Sequence, residues 1–113
     1  MQGCLFCGIA ERKIPSAVVF ENDRVLGFKD VKPQAPLHVL FIPKKHIANV
    51  YELDRADGLL DELVSAANHT ALKENVQERG FRLVINCKAD GGQTVDHLHL
   101  HLLGGRKMTW PPG

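Results

Sequence analysis

Val95-Asp96-His97-Leu98-His99-Leu100-His101-Leu102-Leu103 alternates histidine with leucine through three repeats. A period of two is the signature of a strand, because successive side chains leave a strand on opposite faces. The pattern predicts a strand over Val95–Leu103 with His97, His99 and His101 on one face and Leu98, Leu100 and Leu102 on the other. The leucines supply the burial that fixes the register; a slip of one residue would bury imidazoles instead. Same-face neighbours on a strand sit about 7 Å apart, which puts the backbones of the outer two histidines about 13 Å apart. A tetrahedral zinc holds nitrogen ligands at about 2.0–2.1 Å, so its ligand atoms lie only about 3–3.5 Å from one another. Two neighbouring histidines converge easily on one ion; three from a flat strand do not. The row is therefore either divided between tasks or catalytic. Imidazole titrates near neutrality and serves as nucleophile, acid, base or hydrogen-bond donor according to its second nitrogen.

Upstream of this strand, Asp90-Gly91-Gly92-Gln93-Thr94 forms a glycine loop whose backbone amides can approach an anion without side-chain interference. Working back along the chain, Phe81–Asn86 is a predicted strand, and Asp54–Gly80 the predicted long helix, with Asp54 as N-cap and Gly80 as C-terminal stop. Ala56, Leu60, Leu63, Ala67 and Ala71 supply the apolar stripe of that helix. Leu37–Ile42 is apolar enough for an interior strand stopped by Pro43, and Val18–Glu21 and Val25–Lys29 are short strands separated by the turn residues Asn22-Asp23. Cys4–Ala10 reads as a short helical or turn segment. Strands joined by short turns, with a single long helix inserted, predict an α+β fold with an antiparallel sheet. His38, in the apolar strand, and His69, on the helix, are read as structural.

The chain has 113 residues, 44% hydrophobic and 24% charged, which predicts one domain over residues 1–113. A net charge of +1 offers no electrostatic case for binding nucleic acid or a membrane surface. No apolar run approaches the roughly 20 residues of a membrane span, and no signal-peptide pattern opens the sequence. Three cysteines, with one Cys4-x-x-Cys7 pair, suit a reducing cytoplasm better than a disulfide framework. That pair also has the spacing of half a tetrahedral zinc site, which needs two further ligands elsewhere.

His97-Leu98-His99-Leu100-His101-Leu102-Leu103 resembles the His-x-His-x-His-x-x signature of the histidine-triad (HIT) family. Pro33–His38, Ile42–Ile47, Asp90–Thr94, Gly104-Gly105-Arg106 and the Trp110-Pro111-Pro112-Gly113 ending look like its Hint branch, so the likeness spans nearly the whole chain. The resemblance implies a five-stranded antiparallel sheet with one long and one short helix, paired into a homodimer with a continuous sheet. It implies hydrolysis of adenosine 5′-phosphoramidates to AMP and an amine through a nucleotidyl-histidine intermediate, with no cofactor required for the chemistry. By the same resemblance His99 is the nucleophile, His101 stabilises charge on the phosphate, and His97 orients its neighbours or binds metal. Asn86, Gly92, Gln93 and Thr94 match phosphate-contacting positions, with Thr94 where many relatives carry serine. Asp30 matches the residue that receives the ribose hydroxyls, and Leu5, Phe6, Phe28 and Val31 match the adenine-pocket wall. Bacterial relatives that share Cys4 and Cys7 complete a structural zinc site with histidines matching His46 and His97. Trp110, in an apolar tail, is expected to shape the partner subunit's site, since tryptophan is enriched at interfaces.

Three rival readings differ in what they demand. A dinucleoside polyphosphate hydrolase or nucleotidyl transferase of the same family would use the same triad on another substrate. A non-catalytic nucleotide-binding scaffold would not need His99, which is present. A metallohydrolase would use the histidines as ligands and lose activity to a chelator.

Overall fold

The computed structural model describes residues 2–113. Among these, β1 (Val18–Glu21), β2 (Val25–Lys29), β3 (Leu37–Pro43), β4 (Phe81–Val84) and β5 (Leu100–Gly104) form one five-stranded sheet in the order β1-β2-β3-β5-β4. Every pairing is antiparallel. The α1 helix (Leu5–Ala10) covers one face of the sheet and the α2 helix (Leu59–Lys73) the other. The result is an α+β fold with one long helix, as the sequence predicts.

β3 is buried along its whole length, and its alternation decides which layer each residue joins. Val39 and Phe41 pack with Val25, Leu63, Ala67 and Leu102 in the core beneath α2. Leu40 and Ile42 point the other way, into the smaller core with Leu26, Phe28, Phe6 and Ile9. Leu98, Leu100 and Leu102 all enter the α2 core, which leaves His97, His99 and His101 on the α1 face. The period-two reading of the histidine stretch therefore places its side chains correctly.

The ladder is shorter than that reading expects. β5 begins at Leu100 rather than Val95, because the β3 register would set Pro43 opposite Leu98 and proline offers no N–H to that pairing. The freed groups find other partners. The Leu98 N–H donates to the Ile47 carbonyl at 2.7 Å, and His97 Nε2 donates to the Pro43 carbonyl at 2.8 Å. β4 likewise ends at Val84 rather than Asn86.

The long helix also starts later than predicted. Asp54 caps a 3-10 turn at Arg55–Asp57, accepting from the Ala56 N–H at 2.9 Å, and Gly58 in the left-handed region separates that turn from α2. The buried stripe is then Leu59, Leu63, Ala66, Ala67, Thr70 and Ala71, while Ala56 and Leu60 are exposed. The helix stops at Lys73, seven residues before Gly80. His69 lies exposed on α2 with its ring 5.7 Å from that of Phe20, in keeping with a structural role.

Candidate functional site

The α1 face gathers the chemistry-bearing side chains into two clusters that meet at His97 and His99. The first contains Cys4, the N-cap of α1, Cys7 in its first turn, His46 in the turn after β3, and His97. Cys4 Sγ lies 3.3 Å and Cys7 Sγ 3.5 Å from His97 Nδ1, and Cys7 Sγ lies 3.3 Å from His46 Nδ1. The four donor atoms all fall within 4.8 Å of one another. Tetrahedral zinc with nitrogen and sulfur ligands has ligand–ligand separations of about 3.3–3.8 Å, so this donor set fits the ion with little movement. Because a carbonyl only accepts, the bond from His97 Nε2 to Pro43 fixes the proton on Nε2 and turns the Nδ1 lone pair toward both sulfurs. That is the usual support of a metal-ligating histidine. An ion held by all four protein donors would have no position left for water, the arrangement of a structural site. Burial raises the Cys7 thiol pKa, with the neighbouring Cys4 adding to it, so loading a metal must displace thiol protons.

The second cluster is a relay of imidazoles. His99 Nδ1 donates to the His97 carbonyl at 2.8 Å, which leaves the neutral ring's lone pair on Nε2. The Phe6 ring meets His99 edge-on with centroids 5.0 Å apart, and the His101 ring lies 5.0 Å away on the other side. His38 joins this relay, and the sequence gives little sign of it. The Gln34 N–H donates to His38 Nδ1 at 3.0 Å, so His38 carries its proton on Nε2 and donates it to His101 Nδ1 at 2.9 Å. Asp30 Oδ2 sits 3.5 Å from the same His38 nitrogen. His101 is thereby left protonated on Nε2, a buried N–H with no hydrogen-bond partner among the described residues. An unpaired buried donor costs about 1–3 kcal/mol, and such a group is well suited to receive the oxygen of a bound anion.

Around the relay, Phe28 packs edge-on against Phe6 at 5.5 Å, and both are buried. Leu5, just before Phe6, and Val31, three residues after Phe28, expose 48% and 93% of their surfaces. Asp30 Oδ1 accepts from the Lys32 N–H at 2.8 Å, which orients the carboxylate. Thr94 is exposed at the end of the glycine loop. The loop owes its glycines to its own turn: a Cβ on Gly91 would lie 2.4 Å from the Cys87 carbonyl, and Gly92 has a φ of 81°. Gln93 is not free to reach a ligand through its side chain. Its Oε1 accepts from the Lys88 N–H at 2.9 Å, and its Nε2 donates to the carbonyls of Ala48 and Val95 at 2.7 and 2.9 Å. It braces the loop. Asn86 is half-buried beyond β4 and lines a cavity of about 380 Å³ together with Met108, Pro112 and Gly113 of the tail. Arg82 on β4 donates to the Thr109 carbonyl at 2.8 Å, and Trp110 stands 83% exposed.

The model of the HIT domain matches residues 11–108. The chain belongs to the HIT family. Among solved structures, a HIT family hydrolase from Legionella pneumophila superposes with a TM-score of 0.96 at 53% identity, covering 98% of this chain and 100% of the other. A HIT-like protein of Synechococcus elongatus is 49% identical over 110 residues, 96% of either chain. A 14 kDa zinc-binding protein of Brassica juncea is 44% identical over 112 residues, 96% of this chain and 98% of the relative. No helix of the described residues of this HIT domain is long and apolar enough to cross a membrane.

The buried histidines of the HIT domain predict how its stability depends on pH. Burial, helped by His99 and His38, pushes the His101 pKa down to about 4, and burial also lowers those of His38 and His97. An unfolded histidine titrates near about 6.5, so on acidification the unfolded chain takes up these protons first. Stability is therefore complete above about pH 6.5 and declines as pH falls toward about 4. Urea midpoints measured from pH 7.5 to pH 4.5 should fall, and His101→Gln should flatten the decline. A midpoint independent of pH across this range would contradict the buried neutral state of these rings.

Proposed function

We propose that this HIT domain is a purine nucleoside phosphoramidase of the Hint branch, releasing AMP and an amine from adenosine 5′-phosphoramidates. The observation that carries the reading is the His99 tautomer: Nδ1–H is committed to the His97 carbonyl, so Nε2 is available to attack phosphorus. In the first step the Nε2 lone pair forms a bond to phosphorus, and the P–N bond to the amine breaks. The electron pair leaves on the amine nitrogen, which takes up a proton from solvent. In the second step a water oxygen attacks phosphorus and gives up a proton to solvent, the Nε2–P bond breaks, and His99 recovers its lone pair as AMP departs. A P–N substrate is thus exchanged for a P–N intermediate of like kind. The unpartnered His101 Nε2–H donates to a non-bridging phosphate oxygen, with His38 and Asp30 holding His101 in the tautomer that allows it.

Asp30 receives the ribose hydroxyls, Leu5, Phe6, Phe28 and Val31 hold the purine, and Thr94, Asn86 and the Gly92 amide contact the phosphate side. Gln93 serves by holding the glycine loop in place. Cys4, Cys7, His46 and His97 hold a structural zinc; the zinc-binding name of the Brassica relative and the donor geometry both support this. When bound, the ion fixes these four side chains and takes no part in bond cleavage. The chain acts as a single domain over residues 1–113, in the cytoplasm, as a homodimer whose sheets join.

The test compares turnover of an AMP–lysine phosphoramidate with that of a diadenosine polyphosphate on the same preparation. Faster P–N cleavage, with an adenylated protein seen by intact mass, supports the reading. Preference for the polyphosphate would assign the chain to the other branch. For the dimer, truncation before Met108 should change the ranking of amine leaving groups more than the affinity for AMP. An exposed Trp110 in an apolar tail is otherwise hard to reconcile with a chain acting alone. Identical kinetics across several amines after truncation would reject the tail's part.

A further inference from the structure

Cys4 and Cys7 are the same residue type in unlike surroundings. Cys4 is half-buried and opens on a cavity of about 710 Å³ that Gly3, Leu5, Glu11, Lys13 and Ile14 also wall. Cys7 is 3% exposed and faces inward, to His46 and His97. The two thiols are nonetheless close. The Cys7 N–H donates to Cys4 Sγ at 3.4 Å, and the two sulfurs lie within 4.8 Å of each other. The turn that carries both is closed by the Gly8 N–H, which donates to the Cys4 carbonyl at 3.0 Å. Rotation of the two side chains brings the sulfurs to the about 2.05 Å of a disulfide while that turn stays closed. An outer thiol that meets solvent, backed by an inner one that meets the outer, is the arrangement of an attacking and a resolving cysteine. The cavity is far larger than a peroxide needs. It falls in the range of about 300–1,000 Å³ that holds a small organic ligand.

We propose that Cys4 and Cys7 form a thiol–disulfide exchange site for a low-molecular-weight disulfide of peptide size, and that the oxidised pair gives up metal. In the first step Cys4 Sγ attacks one sulfur of the incoming disulfide. A mixed S–S bond forms, the incoming S–S bond breaks, and one half departs on its own sulfur. In the second step Cys7 Sγ attacks Cys4 Sγ. The internal S–S bond forms, the mixed disulfide breaks, and the second half departs. The protons of the two cysteines end on the two released thiols, so two cysteines are oxidised and one external disulfide is reduced. In a reducing compartment such a bond is transient, as in redox-sensing pairs. Metal ligation needs thiolates, so the joined sulfurs leave only His46 and His97 of the four donors. The linkage changes as well. An ion on four donors ties α1 to the His46 turn and to the His97 segment, whereas the disulfide ties the start of α1 to itself. The exchange uses no triad chemistry and stands whatever substrate His99 takes.

The probe is glutathione disulfide, added at pH 7.5 without oxygen to the full chain carrying Cys87→Ser, which removes the third thiol. Metal-stripped protein should lose two hydrogens by intact mass, with peptide mapping joining Cys4 to Cys7, and dithiothreitol should reverse the change. Cys7→Ser should stop at a mixed disulfide with one glutathione on Cys4. Cys4→Ser should take up glutathione at Cys7 at least about tenfold more slowly, because burial limits access. Lys13→Trp, made at an exposed position in the cavity wall, should slow the first step at least about fivefold with glutathione disulfide and leave the reaction with hydrogen peroxide unchanged. Zinc-loaded protein should react at least about tenfold more slowly than stripped protein and release about one zinc per disulfide formed, read with a chromophoric chelator. Equal rates for the two single-cysteine variants would overturn the division into outer and inner thiol. Equal rates for Lys13→Trp and its parent would overturn the cavity's part. A disulfide that forms only after urea unfolds the chain, or oxidised protein that keeps its zinc, would overturn the proposal as a whole. Reversible disulfide formation in protein that never takes up zinc would uphold the exchange site and overturn the zinc reading.

Discussion

His99→Gly should reduce turnover of an AMP–amine phosphoramidate by at least about 10⁴-fold, the scale expected when a covalent nucleophile is removed. The same substitution should leave AMP binding within a few-fold of the parent. The two expectations separate because of where the ring lies. His99 is packed between Phe6 and His101, whereas the apolar wall and Asp30 are set by β2, α1 and the turn after β2. Intact-mass analysis after mixing with substrate should show an adenylated species in the parent and none in the variant. The exposed His69 and the relay member His38 keep their imidazoles, so any adduct that persisted would have to sit on a different ring. Turnover within tenfold of the parent would remove His99 from the nucleophile's place. His101→Gln should be milder, since it deletes a donor to the phosphate and spares the attacking nitrogen; about 10²–10³-fold is the usual loss for one such donor.

The histidine stretch shows what a sequence makes legible. Alternation alone sorted its side chains into an imidazole face and a leucine face, and the structure keeps that sorting even where the ladder is lost. Its length was not legible, because the limit is imposed by Pro43, more than fifty residues upstream, whose pairing with residue 98 emerges only from the register. The start of α2 differs from the sequence expectation for a local reason. Asp54 has the chemistry of a cap and does cap, but the turn it begins is a 3-10 turn that Gly58 interrupts. In the sequence His38 looks like a core residue, because it lies in a buried apolar run. Its meaning lies in His101, 63 positions away, and in a backbone N–H from Gln34. Gln93 shows the reverse: the motif marked it as a ligand contact, and its three side-chain hydrogen bonds are spent within the protein. The pairing of Cys4 and Cys7 with His46 and His97 came from the resemblance, since Cys-x-x-Cys by itself names no partners. The fold supplies them by capping α1 over the turn after β3.

Zinc removal is expected to have the largest effect on stability. Protein purified without chelator should contain close to one zinc per chain, and Cys4→Ser/Cys7→Ser should contain none. A ligand present at about 1,000 times its dissociation constant stabilises the folded state by about 4 kcal/mol, and a domain of this size responds with a thermal midpoint shift on the order of 10–20 °C. The structural reason is that the smaller core has little else to hold it. Its apolar members on α1 are Phe6 and Ile9, and a helix of six residues cannot persist without tertiary anchors. In the metal-free state the anchors are thiol–imidazole contacts of 3.3–3.5 Å, in which sulfur is a weak donor. Ligation replaces them with bonds to one ion shared by α1, the turn bearing His46 and the segment bearing His97. Loading must also expel the thiol protons that burial favours at Cys7, so the apparent zinc affinity should rise with pH between about 6 and 8. Calorimetry of loaded, stripped and doubly substituted protein checks both expectations. Equal midpoints for all three, with no metal in the parent, would reduce Cys4 and Cys7 to packing residues beneath α1.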